Sequence, residues 1–327
     1  MWFRSRSVSS LSRCLVLSLS IAGCSIHPLP DDVTGVPTDT IVRKTRCEAR
    51  AAIKKSLVDW LLAYQGGSPE RRLGSEFKSG VRPLQSFSNR LFRGDVKAIV
   101  QKFETSAIAY DFTLDITEVN NLDASIDLLK PFRRETHSAA LSLGLDRTRQ
   151  SIRVFTISDT FLGLLTKIKD DYCSIFDNNP DYIYPIVGNI GIAEEVHIFI
   201  ELTLFNGLAG DPGKPKGPPT MADTLVFTTK LSGSAAPKLV FTPVGGIAHV
   251  ADATLTADAS RTDVHKVIVG LALQPAGSQT SEAKSQNGLF VTVVGTPAQQ
   301  AAGAAIDQTF LRRGTEARGG TSIIPLE

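Results

Sequence analysis

The 327-residue sequence is poor in several features, and each shortage excludes a class of protein. Four cysteines are too few for a small domain held together by disulfides. Only 7% of the residues are aromatic, and no apolar run reaches the roughly 20 residues that a membrane-spanning helix needs. The 35 basic residues are balanced by 33 acidic ones, which excludes a polybasic nucleic-acid binder. With 42% hydrophobic residues, the chain is expected to fold into one or two domains.

The N-terminus has the composition of a targeting segment. Arg4, Arg6 and Arg13 form a basic region without acidic residues, and a short apolar stretch follows at residues 15–22. This order predicts a secretory signal peptide. The next residues, Ile21-Ala22-Gly23-Cys24, resemble the lipobox of bacterial lipoproteins, in which two small residues precede the cysteine that receives the lipid.

The resemblance implies that residues 1–23 are removed and that Cys24 carries the lipid. Ser25, in place of Asp, then favours the outer membrane, with the protein facing the periplasm. The mature chain would hold 32 basic and 33 acidic residues, so its net charge indicates no basic partner surface. Residues 24–38 are rich in proline and polar residues and are expected to form a tether between the lipid and the folded body.

Removal of the signal peptide also changes the cysteine count. Cys14 is lost and Cys24 is acylated, which leaves Cys47 and Cys173. Two cysteines in an oxidising compartment are expected to form a disulfide. The alternative, a reactive or metal-binding thiol pair, lacks a C-x-x-C spacing.

A long amphipathic helix is expected over Ile41–Tyr64, because apolar residues recur there at helical spacing and Gly66-Gly67 would end it. Thr38, Asp39 and Thr40 could cap it. Residues 66–94 have no sustained period. The polar side of this helix is basic, formed by Arg43, Arg46, Arg50, Lys54 and Lys55.

The clearest strand is Ile108–Ile116, in which every even residue is apolar. We expect Asn120-Asn121 to form a turn before a return strand at 122–129. Two further strands are expected around 141–145 and 149–158. Together these segments predict a four-stranded antiparallel meander.

The second half of the chain mixes both patterns. Residues 160–172 have helical composition, and 190–205 fit a helix or a strand, with the helix favoured. Residues 206–220 contain eight Gly or Pro and are expected to be a linker or loop between an α+β domain at 39–205 and a β-rich subdomain at 221–327. The remaining segments are strands at Thr224–Leu231, Lys238–Thr242, Val264–Leu273 and Leu289–Val294, and a C-terminal helix at Pro297–Arg312.

The fold class expected is therefore α+β, with antiparallel sheet, a long N-terminal helix and a C-terminal helix. No internal repeat or β-α-β alternation is present in the sequence.

Motifs for catalysis or cofactor binding are weak. The sequence has no G-x-S-x-G, Walker A or dinucleotide fingerprint. Ser281 and Lys284 fit S-x-x-K but lie in a polar stretch without a K-T-G. Asp177, Asn179 and Asp181 match the start of a calcium loop, but the sixth position is not glycine.

A helix over 190–205 would place Glu194, His197 and Glu201 on one face, whereas a strand would group Glu195 with His197 and Glu201. Imidazole and carboxylates can bind a transition metal. An exposed stripe beside the core residues Ile198 and Leu202 is the simpler interpretation. We expect no metal and no cofactor.

The leading hypothesis is a lipid-anchored envelope protein with a structural or partner-docking role and no catalysis. Its expected contacts are the membrane, reached through the N-terminal lipid alone, and an envelope protein, without nucleic acid. One alternative is a periplasmic hydrolase with a site assembled from Asp111, Asp115, Glu118 and histidines. Another is a small-ligand carrier with an apolar cavity under Ile108–Ile116.

Overall fold

The computed structural model describes residues 28–29, 36–131, 136–176, 185–210, 217–240, 249–275 and 295–319. Helices pack on an antiparallel sheet, so the α+β class is confirmed. Several expectations fall outside the described residues: the signal peptide, Cys24 and Ser25, the turn at 177–181, Ser281 with Lys284, and the strand at Leu289–Val294.

The helices are α1 (Thr38–Ala63), α2 (Ser68–Ser79), α3 (Gly94–Glu104), α4 (Phe161–Thr166), α5 (Asp170–Cys173), α6 (Ile192–Phe205) and α7 (Pro297–Gly319). Single 3₁₀ turns occur at Leu84–Ser86, Asn89–Leu91, Ser174–Phe176 and Pro185–Val187. The strands are β1 (Ala107–Pro131), β2 (Thr136–Thr160), β3 (Thr220–Ala235), β4 (Lys238–Val240) and β5 (His249–Ala272).

The long N-terminal helix is confirmed as α1. Its expected cap is wrong, because Thr38 is already helical and Pro37 precedes it without a side-chain hydrogen bond. The basic side is largely engaged by the body. Arg46 binds Asp159 at 2.6 Å, and the almost buried Arg50 binds Asp170 at 2.6 Å.

The segments expected to form four strands between residues 107 and 160 belong to two long strands, β1 and β2. The prediction of a four-stranded meander is therefore wrong. Asn120 and Asn121 pair with Arg147 and Asp146 in an uninterrupted β1–β2 ladder and form no turn. The two asparagines mark a change in what covers the strand. Before them the even residues are buried under helices, and after them the even residues are exposed.

The sheet has the strand order β2-β1-β5-β3, with the short β4 also paired to β5. β1 and β5 lie on opposite sides of residues 206–220 in the sequence, yet they pair along nearly their whole length. The sheet therefore crosses the boundary expected between a 39–205 domain and a 221–327 subdomain.

Helices cover both faces at one end of the sheet. On the face that we call the core face, Ile108, Tyr110 and Phe112 are fully buried in a cluster with residues of α1, α4 and α6. On the opposite outer face, α7 packs through small residues, and a Cβ at Gly270 would overlap the Ala302 carbonyl oxygen. Glycine at this position therefore allows the close approach of α7.

Candidate functional site

A group of charged residues lies on the core face where the helical cover ends. We call Glu118, Arg261, Asp263 and His265 the waist cluster. Glu118 and Arg261 are cross-strand partners on β1 and β5, and Asp263 and His265 follow at alternate positions of β5. Alternation along a strand keeps these residues on the same face as the core residue Val267, and Arg261, Asp263 and His265 are buried there.

Arg261 holds the cluster together. Its Nε and Nη2 donate to the two carboxylate oxygens of Asp263, at 2.8 and 3.1 Å, and its Nη1 donates to Glu118 Oε1 at 3.3 Å. A buried guanidinium is tolerated when it is paired and hydrogen-bonded in this way. Arg261 and the two carboxylates thus form one ion-paired unit.

The same arginine binds the N-terminal segment. Its Nη2 also donates to the Leu29 carbonyl oxygen at 2.8 Å, and Pro28 is buried next to this contact in the sequence. Further along the chain, Arg153 Nη1 of β2 donates to Thr38 Oγ1 at 2.7 Å. The sheet therefore holds the chain at Leu29 and again at the first residue of α1.

His265 completes the waist cluster. Burial lowers its pKa to about 4, although the Asp115 carboxylate acts in the opposite direction. The Nε2 atom lies 4.0 Å from Asp263 Oδ2. A histidine with this pKa is neutral at neutral pH, so the charges of the cluster come from Arg261 and the two carboxylates.

A cavity of about 570 Å³ lies among α1, α3, α4 and α6. This volume is in the range of small-molecule sites. Such a cavity was expected under residues Ile108–Ile116. This prediction is wrong, because these residues belong to the packed sheet and do not line the cavity. The aromatic and aliphatic walls include Trp60, Phe87, Phe103, Phe161, Ile200 and Leu204.

The prediction of a helix over 190–205 is confirmed as α6. Glu194, His197 and Glu201 lie on this helix, and all three line the cavity. Across the part of the chain that the structure describes, no three His, Cys, Asp or Glu side chains are grouped as a metal site would require. Together with Lys55, Ser56, Asp59 and Glu104, these residues place polar groups on a cavity whose other walls are apolar.

The carboxylates proposed for a hydrolase do not come together. Asp111 accepts a hydrogen bond from Thr156 at 2.6 Å, and Asp115 accepts one from Gln150 at 2.9 Å, both on the outer face. Glu118 lies on the core face with Arg261. None of the three carboxylates lines the cavity.

A carboxylate pair that sequence reasoning missed joins α6 to β3. Burial raises the pKa of Glu195 to about 7, and the neighbouring Asp223 adds to the shift by charge and by a hydrogen bond. The two residues are 28 positions apart in the sequence, and no local pattern signals their contact.

Cys47 of α1 and Cys173 of α5 form a disulfide with an S–S distance of 2.00 Å and a Cα–Cα distance of 5.6 Å. This is the pair that the cysteine count led us to expect. The guanidinium of Arg43, one turn before Cys47, lies 4.5 Å from the ring centre of Tyr172. The disulfide and this cation–π contact fix α1 to the body at one place.

Comparison with known proteins places most of the chain in one family. A family model described as "Uncharacterised protein y4kA" matches residues 27–315. The "Uncharacterized protein y4kA" of Sinorhizobium fredii (strain NBRC 101917 / NGR234) is 30% identical over 264 residues, which cover 78% of this chain and 80% of that protein.

Proposed function

The chain belongs to the y4kA family, and we propose that it is a lipid-anchored protein of the bacterial cell envelope with a structural or partner-docking role. The observation that carries the proposal is the hydrogen bond from the buried Arg261 to the Leu29 carbonyl. It fastens the chain only five residues after Cys24, the cysteine of the lipobox-like sequence.

The length of this connection limits where the body can lie. Five residues span at most about 18 Å when fully extended. A lipid on Cys24 would therefore hold the sheet near the bilayer surface. A body held in this way suits a protein that presents a surface to other envelope components.

Two further features support the envelope location. The Cys47–Cys173 disulfide is suited to an oxidising compartment such as the periplasm or the outer membrane. The family match begins at residue 27, just after the lipobox-like sequence.

Among the described residues, no helix combines the length and hydropathy needed to cross a bilayer.

The anchor is tested by metabolic labelling with radioactive palmitate and by intact mass measurement. Wild-type protein should incorporate label and lose residues 1–23, and Cys24→Ala should do neither. Cys14→Ala is the matched control, because Cys14 lies within the segment to be removed, and it should be labelled normally. Equal labelling of wild type and Cys24→Ala, or no labelling of either, would refute the anchor.

The docking role is tested by chemical cross-linking in intact cells, followed by solubilisation in detergent. A partner-docking protein should be recovered in a cross-linked species larger than the monomer. A strictly monomeric profile, with no cross-links in cells, would contradict the role.

The cavity favours a second candidate function, the carrying of a small apolar molecule. We propose its test with the neutral fluorescent probe N-phenyl-1-naphthylamine. Ala193→Trp would fill the cavity from α6 and should weaken probe binding, whereas Ala236→Trp, at an exposed site away from the cavity, should not. Binding that both variants leave unchanged would exclude the cavity as the binding site.

A further inference from the structure

The parts of β1, β2 and β5 beyond the waist cluster extend past the helical body. We call residues 119–131, 136–148 and 249–259, together with β4, the distal sheet. Its strands continue the ladders of the body, so the register fixes which side each residue faces.

The core face of the distal sheet carries exposed apolar side chains. Leu122 pairs with Leu145, and Ile126 pairs with Leu141, so aliphatic residues stand directly opposite each other. Their exposure ranges from 40% for Ile126 to 68% for Leu143. Isolated surface leucines are ordinary, but a contiguous apolar face marks a site of contact with another apolar phase. The exposed members include Leu122, Ile126, Leu141, Leu143, Leu145 and Leu255.

The outer face of the same strands is polar and acidic. Asp123 lies opposite Gly144. Its carboxylate oxygen Oδ1 would be 2.8 Å from a Cβ added at that glycine. Ser125 lies opposite Ser142, and Asp252 of β5 forms an ion pair with Lys238 at 2.6 Å. The two faces therefore differ sharply over residues 121–128 and 139–146.

The dimensions and charges of the apolar face fit a lipid bilayer. The four rows from Leu122 to Leu128 extend about 20 Å along the strand, close to the apolar band of about 25 Å on membrane-embedded strands. The row on the body side carries Arg147 on the same face, opposite Asn120. An arginine at this position suits the anionic headgroups of lipids next to the hydrocarbon layer.

The tether contact places the lipid at the same level. Ala257, in the first apolar row, lies four residues from Arg261, about 14 Å along β5. This distance is within the span of about 18 Å that five extended residues allow between Leu29 and Cys24. Acyl chains on Cys24 can thus enter the same hydrocarbon layer that the apolar rows would enter.

We propose that the apolar core face of the distal sheet inserts into the hydrocarbon of a lipid bilayer, with Arg147 at the headgroups and the acidic outer face in water. The placement of the lipid beside this face rests on the function proposed above, whereas the insertion itself rests on the sheet. Membrane contact then involves more than the lipid, contrary to the expectation from the sequence.

Insertion has a consequence for the sheet borders. Among the described strands, β2 forms one border and β3 and β4 lie on the other. Unsatisfied backbone groups cost several kcal/mol each in hydrocarbon, so a bare strand border cannot lie there. In the bilayer, β2 of one copy therefore pairs with the opposite border of the next copy.

The test compares two neighbouring positions on opposite faces, Leu143→Cys and Ser142→Cys, each labelled with the polarity-sensitive fluorophore NBD. Full-length protein is reconstituted in vesicles of phosphatidylglycerol and phosphatidylcholine. The label at 143 should be quenched by spin-labelled acyl chains, and the label at 142 should be quenched by aqueous iodide. Both labels are also placed in a Cys14→Ala, Cys24→Ala background, where neither N-terminal cysteine can react.

The outcomes separate the two proposals. Equal iodide quenching at 142 and 143, in protein shown by mass to be acylated, would overturn insertion and leave the anchor intact. Acyl-chain quenching at 143 in the Cys24→Ala background would support insertion independently of the anchor, whereas wild-type protein shown by mass to be unacylated would refute the anchor alone. A label at 143 that is shielded equally with and without vesicles would indicate coverage by a protein, and would overturn the proposal.

Variants with a charge provide a second measurement. In the Cys24→Ala background, Leu143→Arg should lower partitioning into vesicles about 30-fold or more, whereas Ser142→Arg should have a much smaller effect. Cross-linking should give multimers of the wild type only in the presence of vesicles. Equal partitioning of the two arginine variants, or protein that stays monomeric in vesicles, would contradict the proposal.

Discussion

At the residue scale, Arg261 shows how a charge can be buried when every side of it is paired or hydrogen-bonded. Its guanidinium donates to two carboxylates and to a backbone carbonyl 232 positions earlier in the sequence. The side chain is 5% exposed, so these contacts replace almost all of its water. Planar donors in a fixed fork suit this arrangement, which a lysine could not reproduce.

We predict that Arg261→Met lowers the free energy of unfolding by about 3–5 kcal/mol, because the variant removes the cation that balances buried Asp263. The measurement is chemical denaturation followed by circular dichroism. Lys230→Met, at an exposed position of β3, is the control and should change the stability by less than about 0.5 kcal/mol. If both variants had similar stability, the ion pairs of Arg261 would contribute little.

Glu195 should make stability depend on pH. Its pKa is raised to about 7 in the fold and is 4.5 in an ordinary carboxyl, so between these values the folded chain keeps a proton that the unfolded chain releases. The contribution of this group to stability is present below pH 4.5 and is lost as the pH rises through 7. Glu195→Gln should therefore raise Tm relative to wild type at pH 8, with little change at pH 5.

The control for this prediction is Glu201→Gln, an exposed carboxyl on the same helix. It should show no such difference between the two pH values in thermal unfolding. A Glu195→Gln effect that is equal at pH 5 and pH 8 would show that the fold does not raise the pKa of Glu195.

At the element scale, α1 is the helix that ties the body together. Its Glu48 carboxylate accepts hydrogen bonds from the backbone N–H groups of Ile190, Gly191 and Ile192, at 2.7–3.0 Å. These groups lie at the start of α6, where N–H donors have no partner within the helix. A carboxylate at a helix N-terminus also interacts favourably with the helix dipole. α1 thus caps α6 from outside.

The disulfide should contribute strongly to this arrangement. It joins residues 126 positions apart, and a loop of this length corresponds to about 4–5 kcal/mol in the chain-entropy account. We predict that the double variant Cys47→Ser, Cys173→Ser loses stability by this order in urea denaturation. Reductant should destabilise the wild type but leave the double variant unchanged. Detection of two free thiols in the native wild type would contradict the prediction.

The helices differed in how well the sequence predicted them. α1 and α7 have long apolar or alanine-rich patterns and were identified. α2 and α3 lie in or next to residues 66–94, where no period was recognised. Both are short, and each depends on packing: α2 against α1, and α3 against the 3₁₀ turn at Asn89–Leu91 and α4. Tertiary contacts decide the structure of such short segments more than local propensity does.

At the scale of the whole molecule, the apolar core of the body is separate from the distal sheet. We predict that replacing residues 122–145 with Asn-Gly leaves the body folded, since Asn121 and Asp146 are cross-strand partners that a two-residue turn can join. Tm should change less than in the disulfide variant, and binding to vesicles should be lost. Loss of cooperative unfolding would show that the body needs the distal hairpin.

Much of the sheet could be predicted, because alternation at 108–116 gives both the strand and its buried face. The continuous length of β1 could not be predicted, because asparagine is common in turns. The sequence does not show that Asn120 and Asn121 lie opposite Arg147 and Asp146 in a ladder. The waist cluster had a weak signal: residues 261, 263 and 265 are in phase with Val267 and Val269, which places charges on a buried face. Their partners lie on other elements, and no spacing rule reveals them.

In a chain anchored at Cys24 as proposed above, the contact between Arg261 and Leu29 makes the distance between lipid and body depend on the completion of folding. β5 is the last of the described strands, so the N-terminal segment can be held only after most of the chain has been made and paired. Before that point, the chain between Cys24 and the folded part would be long and flexible, so the folded part could lie far from the membrane. Afterwards only five residues separate Cys24 from the contact at Leu29, so the folded protein alone would be confined to the membrane surface.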